Sequence, residues 1–239
     1  MEVTVKEKLN IVISDEQHEV VKSHLSVRDF GTEKKFVVKE PEKINSGKGF
    51  LFIKRLFDIV LALFCMLVFI IPAAVIALCV AISSKGPVIY SQKRLGKNGK
   101  EFDIYKFRTM IVDAEKNGAV WAKKGDERVT RTGAILRKTH LDEIPQFWNI
   151  LKGDMSFVGP RPERQVFYDE FESYIVGFSH RLRVKPGLTG WAQINGGYEL
   201  KPEEKVAWDV EYIEKQSLWI DLKCIVNTYK LLLGDEQAR

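Results

Sequence analysis

Cysteine is scarce. Cys65, Cys79 and Cys224 are the only three among 239 residues, and none stands in Cys-x-x-Cys spacing or beside a histidine. That argues against a disulfide framework or a zinc site and fits a reducing compartment. Proline (8) and glycine (17) are too few for a collagen-like or low-complexity chain. His18, His24, His140 and His180 are scattered without metal-ligand spacing. No Walker or Rossmann glycine pattern and no Gly-x-Ser-x-Gly occurs, so phosphate-loop and nucleophile-elbow chemistry are set aside. Neither sign of charge dominates: 37 Lys and Arg against 32 Asp and Glu leave +5, too mild to imply a nucleic-acid partner. No signal peptide is expected at Met1, because the first 48 residues carry nine basic and nine acidic side chains and no long apolar stretch.

What is present sorts into three zones. Residues 1–48 read as a polar N-terminal extension, with short apolar patches at 9–13 and 36–38 suited to strands, and a hinge-like Asn45-Ser46-Gly47-Lys48-Gly49. Residues 49–239 form the main domain. Within it, residues 59–82 are 24 positions without a charge. A helix of that length reaches roughly 36 Å, enough to cross a hydrocarbon layer of about 30 Å. Lys54 and Arg55 precede the run while Lys85, Lys93 and Arg94 follow it, so the basic-flank rule places both ends in the cytoplasm. Pro72 in its middle removes a helical hydrogen bond. A spanning helix and a bent hairpin in one leaflet both remain open on these grounds.

Beyond Lys85 the chain turns soluble in character. Residues 87–107 predict a β-hairpin turning at Asn98-Gly99, where both positions tolerate positive φ. From Lys85 to His140 there are fourteen basic and six acidic residues, suited to anionic headgroups or to a phosphorylated ligand. Helices are expected over 139–151, 163–176 and 218–233. The last carries Leu218, Leu222, Ile225, Tyr229 and Leu232 on one face, widened by Trp219 and Ile220, a core stripe by pattern, although Trp and Tyr beside Lys also suit a membrane interface.

The densest chemistry is Arg137-Lys138-Thr139-His140-Leu141-Asp142-Glu143-Ile144-Pro145-Gln146. Thr139 with Asp142 approximates a capping box, a purely structural explanation for the acids. The same physics keeps a carboxylate at a helix start, flanked by Arg137 and Lys138, ionised and available as a nucleophile, with a second carboxylate to hold a divalent cation. Arg161 and Arg164, in Gly-Pro-Arg-Pro-Glu-Arg, offer guanidinium forks for phosphate oxygens.

Five blocks then carry a resemblance: Lys54-Arg55-x-x-Asp58; Lys106-Phe107-Arg108-Thr109-Met110; the 137–146 block; Lys152-Gly153-Asp154-Met155-Ser156-Phe157-Val158-Gly159-Pro160-Arg161-Pro162; and Lys185-Pro186-Gly187-Leu188-Thr189-Gly190-Trp191. In order and spacing over about residues 50–235 the chain closely resembles the bacterial sugar transferases, the monotopic polyprenyl-phosphate phosphoglycosyl transferases. The resemblance implies an α+β, mostly helical, membrane-associated fold with a β-hairpin, amphipathic interface helices and a re-entrant, Pro-broken membrane helix at about 56–82. It implies transfer of a sugar 1-phosphate from a UDP-sugar to undecaprenyl phosphate with release of UMP, opening capsule, exopolysaccharide or O-antigen synthesis. Asp142 would be the nucleophile, and Glu143 with it would hold Mg²⁺. Arg137 and Arg161 would lie near the donor phosphates, Lys54, Arg55 and Asp58 would bind where the re-entrant helix meets the headgroup region, and Arg108 would be a further substrate-binding residue. The expected location is the cytoplasmic face of the inner membrane, with lipid as a partner and a homodimer allowed. Ile71 stands before Pro72 where members often have Ser, and His140 where Ser or Thr is common. The rival expectation from another class is a non-catalytic basic membrane scaffold. The sugar is not encoded legibly, and the candidate donor-selecting loops are 118–126 and 195–201.

Overall fold

A computed structural model describes residues 15–30, 33–45, 47–114, 116, 126–196 and 200–233. The expected patch at 9–13, most of the loop at 118–126 and positions 197–199 of the loop at 195–201 lie outside the described residues.

The elements are α1 (Asp15–His24), β1 (Leu25–Phe30), β2 (Glu33–Val38), α2 (Lys48–Ser83), β3 (Ile89–Leu95), β4 (Glu101–Phe107), α3 (Arg131–Thr139), α4 (Gln146–Lys152), β5 (Ser156–Val158), α5 (Gln165–Glu172), β6 (Ile175–Val176), β7 (Gly187–Thr189), α6 (Trp191–Gly196), α7 (Pro202–Lys215) and α8 (Leu218–Leu233). The class is α+β, with helices around three small sheets: β1-β2-β6, β3-β4 and β5-β7.

α2 is the dominant element, long and apolar enough to cross a membrane. The expected break at Ile71–Pro72 does not divide it. One 36-residue helix runs through Pro72 and begins at Lys48, earlier than about 56. Pro72 forfeits one hydrogen bond, to the carbonyl four residues back, while packing holds the helix on both sides of it: Phe69 meets Phe147 with ring centroids 6.1 Å apart, and Ala73 and Ala77 join the cluster of Ile76, Val80, Phe107 and Leu136. One stripe, Lys54, Asp58, Ala62, Ile76 and Val80, is buried against the rest of the chain. The opposite faces leave Phe52, Leu63, Leu67, Ile71 and Ile82 more than half exposed.

The hairpin forms as the Asn-Gly signal predicts. Ile89 pairs with Phe107 and Leu95 with Glu101, and Asn98 and Gly99 both take positive φ, 57° and 73°. The amide of Lys100 closes the turn onto the Lys97 carbonyl at 3.3 Å.

The N-terminal zone is more than an extension. β2 lies parallel to β6, Phe36 opposite Ile175, and Val21, Leu25 and Val38 are buried among Tyr168, Phe171, Phe178, Val206 and Val210. The His24 ring nitrogen Nε2 lies 3.2 Å from Glu214 Oε2 on α7. Residues 36–38 were expected as a strand; their role as a wall of the core was not.

α8 has the expected bounds but the opposite orientation. Asp221 and Cys224 are its fully buried positions, whereas Trp219, Leu222, Val226 and Tyr229, at helical spacing, are exposed. The stripe through Leu218, Leu222 and Tyr229 is therefore an outer face; of the expected core set Ile220 and Ile225 pack inward, and the Leu232 side chain lies outside the described residues. The interface-helix alternative fits this geometry.

Candidate active site

The expected helix over 139–151 is realised only from Gln146 onward: Thr139 is the last residue of α3, and a tight turn separates it from α4. Thr130 caps α3, its hydroxyl accepting from the Gly133 amide at 2.9 Å. Thr139 sits at the far end of α3, donating back to the Ile135 and Leu136 carbonyls, so it caps nothing downstream. His140 then reverses the chain in the left-handed region (φ 55°), and residues 141–143 form a 3₁₀ turn before Pro145 starts α4. Asp142 and Glu143 both lie in that turn and both are buried.

Two cations converge on one oxygen of this pair. Lys106 Nζ on β4 lies 2.7 Å from Glu143 Oε1, and Arg161 Nη2, in the loop after β5, lies 2.5 Å from the same atom. Burial opposes ionisation of Glu143, but Arg161 and Lys106 outweigh it and hold the carboxyl far below the usual range. Asp142 behaves in the opposite way. Burial pushes its carboxyl up to about 6, the negative Glu143 adds to the rise, and Lys106, Arg161 and Arg137 only partly counter it. A nucleophile with a depressed pKa at a helix start was the expectation. The turn supplies no long helix dipole, and the nearest cations are already bonded to Glu143. Burial also lowers the His140 imidazole below its ordinary value, despite Glu143.

Of the expected arginines, Arg161 reaches the pair directly, while Arg137 donates from Nε to Thr109 Oγ1 at 2.9 Å and acts on Asp142 through its charge. Four other expected substrate contacts form a brace for α2. Lys54 pairs with Asp221 of α8 at 2.6 Å, both buried. Asp58 Oδ1 accepts from Ser156 Oγ and the Phe157 amide, each at 3.0 Å. Arg55 covers the last carbonyls of α4, Ile150 and Leu151, at 2.6 Å each, a favourable charge at a helix C-terminus. Arg108 donates to the carbonyls of Val80, Ser84 and Pro87 at the other end of α2.

Lys106 is the member that sequence reasoning left without a role, although its block was recognised. The available signal was a lysine between the apolar neighbours Tyr105 and Phe107 on a strand. Delivery of Arg161 rests on two glycines. β5 and β7 pair in parallel, Ser156 with Gly187, and a Cβ on Gly159 would strike the Lys185 carbonyl while one on Gly187 would strike the Gly159 amide. Only glycine allows that approach.

Beside the turn lies an apolar cavity of about 650 Å³. Its walls are Met66, Leu67, Phe69, Ile70 and Ala73 of α2, then Tyr105 and Phe107, and finally Ile144, Pro145, Phe147 and Trp148, which follow Glu143 directly in the chain. Among the described residues no third His, Cys, Asp or Glu is grouped with the acidic pair. Two adjacent carboxylates still suit Mg²⁺, which binds through one or two of them and completes its shell with phosphate oxygens and water.

Comparison with known proteins agrees with the blocks. The sequence model of the bacterial sugar transferase family matches residues 50–235. The chain belongs to the bacterial sugar transferase family. Among curated relatives, the UDP-N-acetylgalactosamine-undecaprenyl-phosphate N-acetylgalactosaminephosphotransferase of Aeromonas hydrophila is 42% identical over 191 residues, 79% of this chain and 45% of that protein. The UDP-glucose:undecaprenyl-phosphate glucose-1-phosphate transferase of Escherichia coli K12 is 44% identical over 181 residues, 74% of this chain and 39% of that one. A putative undecaprenyl-phosphate N-acetylgalactosaminyl 1-phosphate transferase of Bacillus subtilis 168 is 52% identical over 133 residues, 56% of this chain and 74% of the relative. The chain thus spans less than half the length of these two relatives, from Aeromonas hydrophila and Escherichia coli. Residues 15–45, which complete its core, lie before the family match.

Proposed function

We propose that this sugar transferase moves a sugar 1-phosphate from a UDP-sugar to undecaprenyl phosphate, in two steps at one carboxylate. Asp142 attacks the β-phosphorus of the donor; the bond from that phosphorus to the bridging oxygen breaks, and UMP leaves with the electron pair. The resulting acyl phosphate is attacked at the same phosphorus by an oxygen of the lipid phosphate, which forms the lipid diphosphate-linked sugar and returns the Asp142 carboxylate.

The observation that carries this reading is the division of labour in the acidic turn. Glu143 is bonded to Lys106 and Arg161, whereas Asp142 is the member that burial leaves least stabilised as an anion. An anion in that state gains most by bonding to an electrophile. With a carboxyl near 6 it is nonetheless mostly ionised at neutral pH. Arg161 and Arg137 suit the donor phosphates, and Asp142 with Glu143 would hold Mg²⁺, which supplies charge neutralisation when a carboxylate approaches a diphosphate.

The lipid acceptor and the membrane placement have support of their own. The apolar cavity runs from the exposed apolar middle of α2 to the residues following Glu143, so an isoprenoid chain can lie there while its phosphate reaches Asp142. α2 is anchored to one domain at both ends, by Lys54, Arg55 and Asp58 at the start and by Arg108 at the finish. A helix crossing the bilayer would put one of those polar anchors on the wrong side. We therefore read α2 as held to one face of the membrane by both of its ends, with the site on the cytoplasmic face of the inner membrane, at the start of a surface-polysaccharide pathway.

The test is UMP release with undecaprenyl phosphate and a panel of UDP-sugars. Donor-dependent release that Asp142→Asn abolishes is expected. Salt-sensitive vesicle binding with no UMP from any donor would favour the scaffold instead.

A further inference from the structure

The loop that carries Arg161 is held at four consecutive carbonyls, each by a donor from elsewhere in the chain. Pro160 accepts from the Gly187 amide at 3.0 Å and Glu163 from the Leu95 amide at 2.9 Å. Arg161 accepts from Arg181 Nη2 at 3.0 Å, and Pro162 from Arg94 Nη1 at 3.3 Å. The first two donors are backbone groups that any sequence supplies; the other two are guanidinium groups placed there by side chain.

Both guanidinium groups are themselves seated. Arg181 is 2% exposed, its Nη2 lies 2.7 Å from Asp209 Oδ2 on α7, and its charged carbon sits 5.0 Å from the Phe178 ring centroid. Arg94 Nη1 lies 3.1 Å from Glu163 Oε2, and its Nη2 donates to Gln92 Oε1 at 2.7 Å. Stability does not explain the Arg181–Asp209 pair. Removing two charges from water costs about what their attraction returns, and an apolar pair of similar volume serves a core as well. Arg181 Nε and Nη1 also find no acceptor among the described residues, which adds to the cost. What the pair does, and an apolar pair could not, is hold a donor at the Arg161 carbonyl. Pro160 and Pro162 restrict the backbone on either side, so fixing that carbonyl fixes where the Arg161 side chain starts towards Glu143.

We infer that Arg181, seated by Asp209, and Arg94, seated by Glu163, are positioning residues that set the Arg161 guanidinium against Glu143 and the reacting phosphates. The part concerning phosphates rests on the function proposed above; the part concerning Glu143 does not. Contact with Arg161 is made through its backbone, and a displacement of about an ångström at a reacting group costs on the order of a hundredfold in rate.

The double replacement Arg181→Met/Asp209→Leu removes both charges and keeps the volume, so the fold is retained, as melting and circular dichroism check. The kcat for UMP release is expected to fall about tenfold to a hundredfold with the donor KM changed by less than about threefold. In an Arg161→Met background the same double replacement is expected to cost nothing further, because its effect passes through Arg161. Losses that add would overturn the inference. Should the double variant not fold, Arg94→Lys, which keeps the charge but not the fork, is expected to give a smaller fall with the same non-additivity. A structure of either variant gives an independent reading: the Arg161–Glu143 contact is expected to be lost or lengthened, and an unmoved Arg161 overturns the inference. A wild-type protein that released no UMP would refute the proposed function, while this structural comparison would still decide the positioning.

Discussion

Two buried charge clusters lie beside the long apolar helix α2, and they are built to opposite ends. At the start of α2, Lys54 meets Asp221 and Asp58 meets a hydroxyl and an amide, with Tyr212 Oη donating to Asp221 Oδ1 at 2.8 Å. Each charge there closes on a partner. At the acidic turn, two cations share one oxygen of Glu143 while Asp142 is left with a raised pKa. The sequence presents both clusters as basic and acidic residues in recognisable blocks. Geometry separates the brace, where each carboxylate accepts hydrogen bonds from partners of its own, from the candidate site, where both cations bond Glu143 and act on Asp142 only through their charge.

That contrast is open to direct attack. The largest effect is expected from Asp142→Asn, which should cut UMP release by at least about a thousandfold while leaving the melting temperature unchanged or higher, since a buried carboxylate with a raised pKa does not stabilise the fold. Lys54→Met should do the reverse in kind. It strands Asp221 in the interior and is expected to cost about 3–5 kcal/mol of stability, read by chemical denaturation in detergent, and Lys54→Met/Asp221→Leu should recover most of the loss with activity retained. Glu143→Gln sits between the two: Lys106 and Arg161 lose their anion, so a fall of about a hundredfold in UMP release is expected together with a lower melting temperature, because a carboxylate held far below its ordinary range stabilises the fold when ionised. The smallest effect is expected for His24→Gln at the Glu214 contact, about 1 kcal/mol of stability and no change in the donor KM. An Asp142→Asn protein that kept its activity, or a Lys54→Met protein that kept its stability, would erase the distinction.

The regular elements were largely legible. Leu218–Leu233 was marked by periodicity alone, and the hairpin by Asn98-Gly99, because helix period and positive-φ turns are local signals. What escaped depends on distant partners. The face of α8 was misassigned because Asp221 and Cys224 turn inward to meet Lys54 and the core, and no periodicity of apolar residues reveals a buried aspartate. The helix expected through Asp142 is broken at His140, a left-handed residue that no glycine announces. The membrane run was legible in length but not in its continuity through Pro72, since packing at Phe69, Ala73 and Ala77 decides that. Of the candidate residues named from their blocks, Asp142, Glu143 and Arg161 are brought together by the fold. The bracing contacts of Lys54, Arg55, Asp58 and Arg108 were not legible, because charged residues in a conspicuous block read alike until their partners are seen.

Incubating the protein with a UDP-sugar labelled in its β-phosphate, without acceptor, and taking the intact mass tests the central claim most directly. The account predicts a burst of about one equivalent of UMP, a matching mass gain of one hexosyl phosphate mapped to Asp142, and loss of that label when undecaprenyl phosphate is added. UMP formed only when both substrates are present, with no labelled protein at any time, would contradict it.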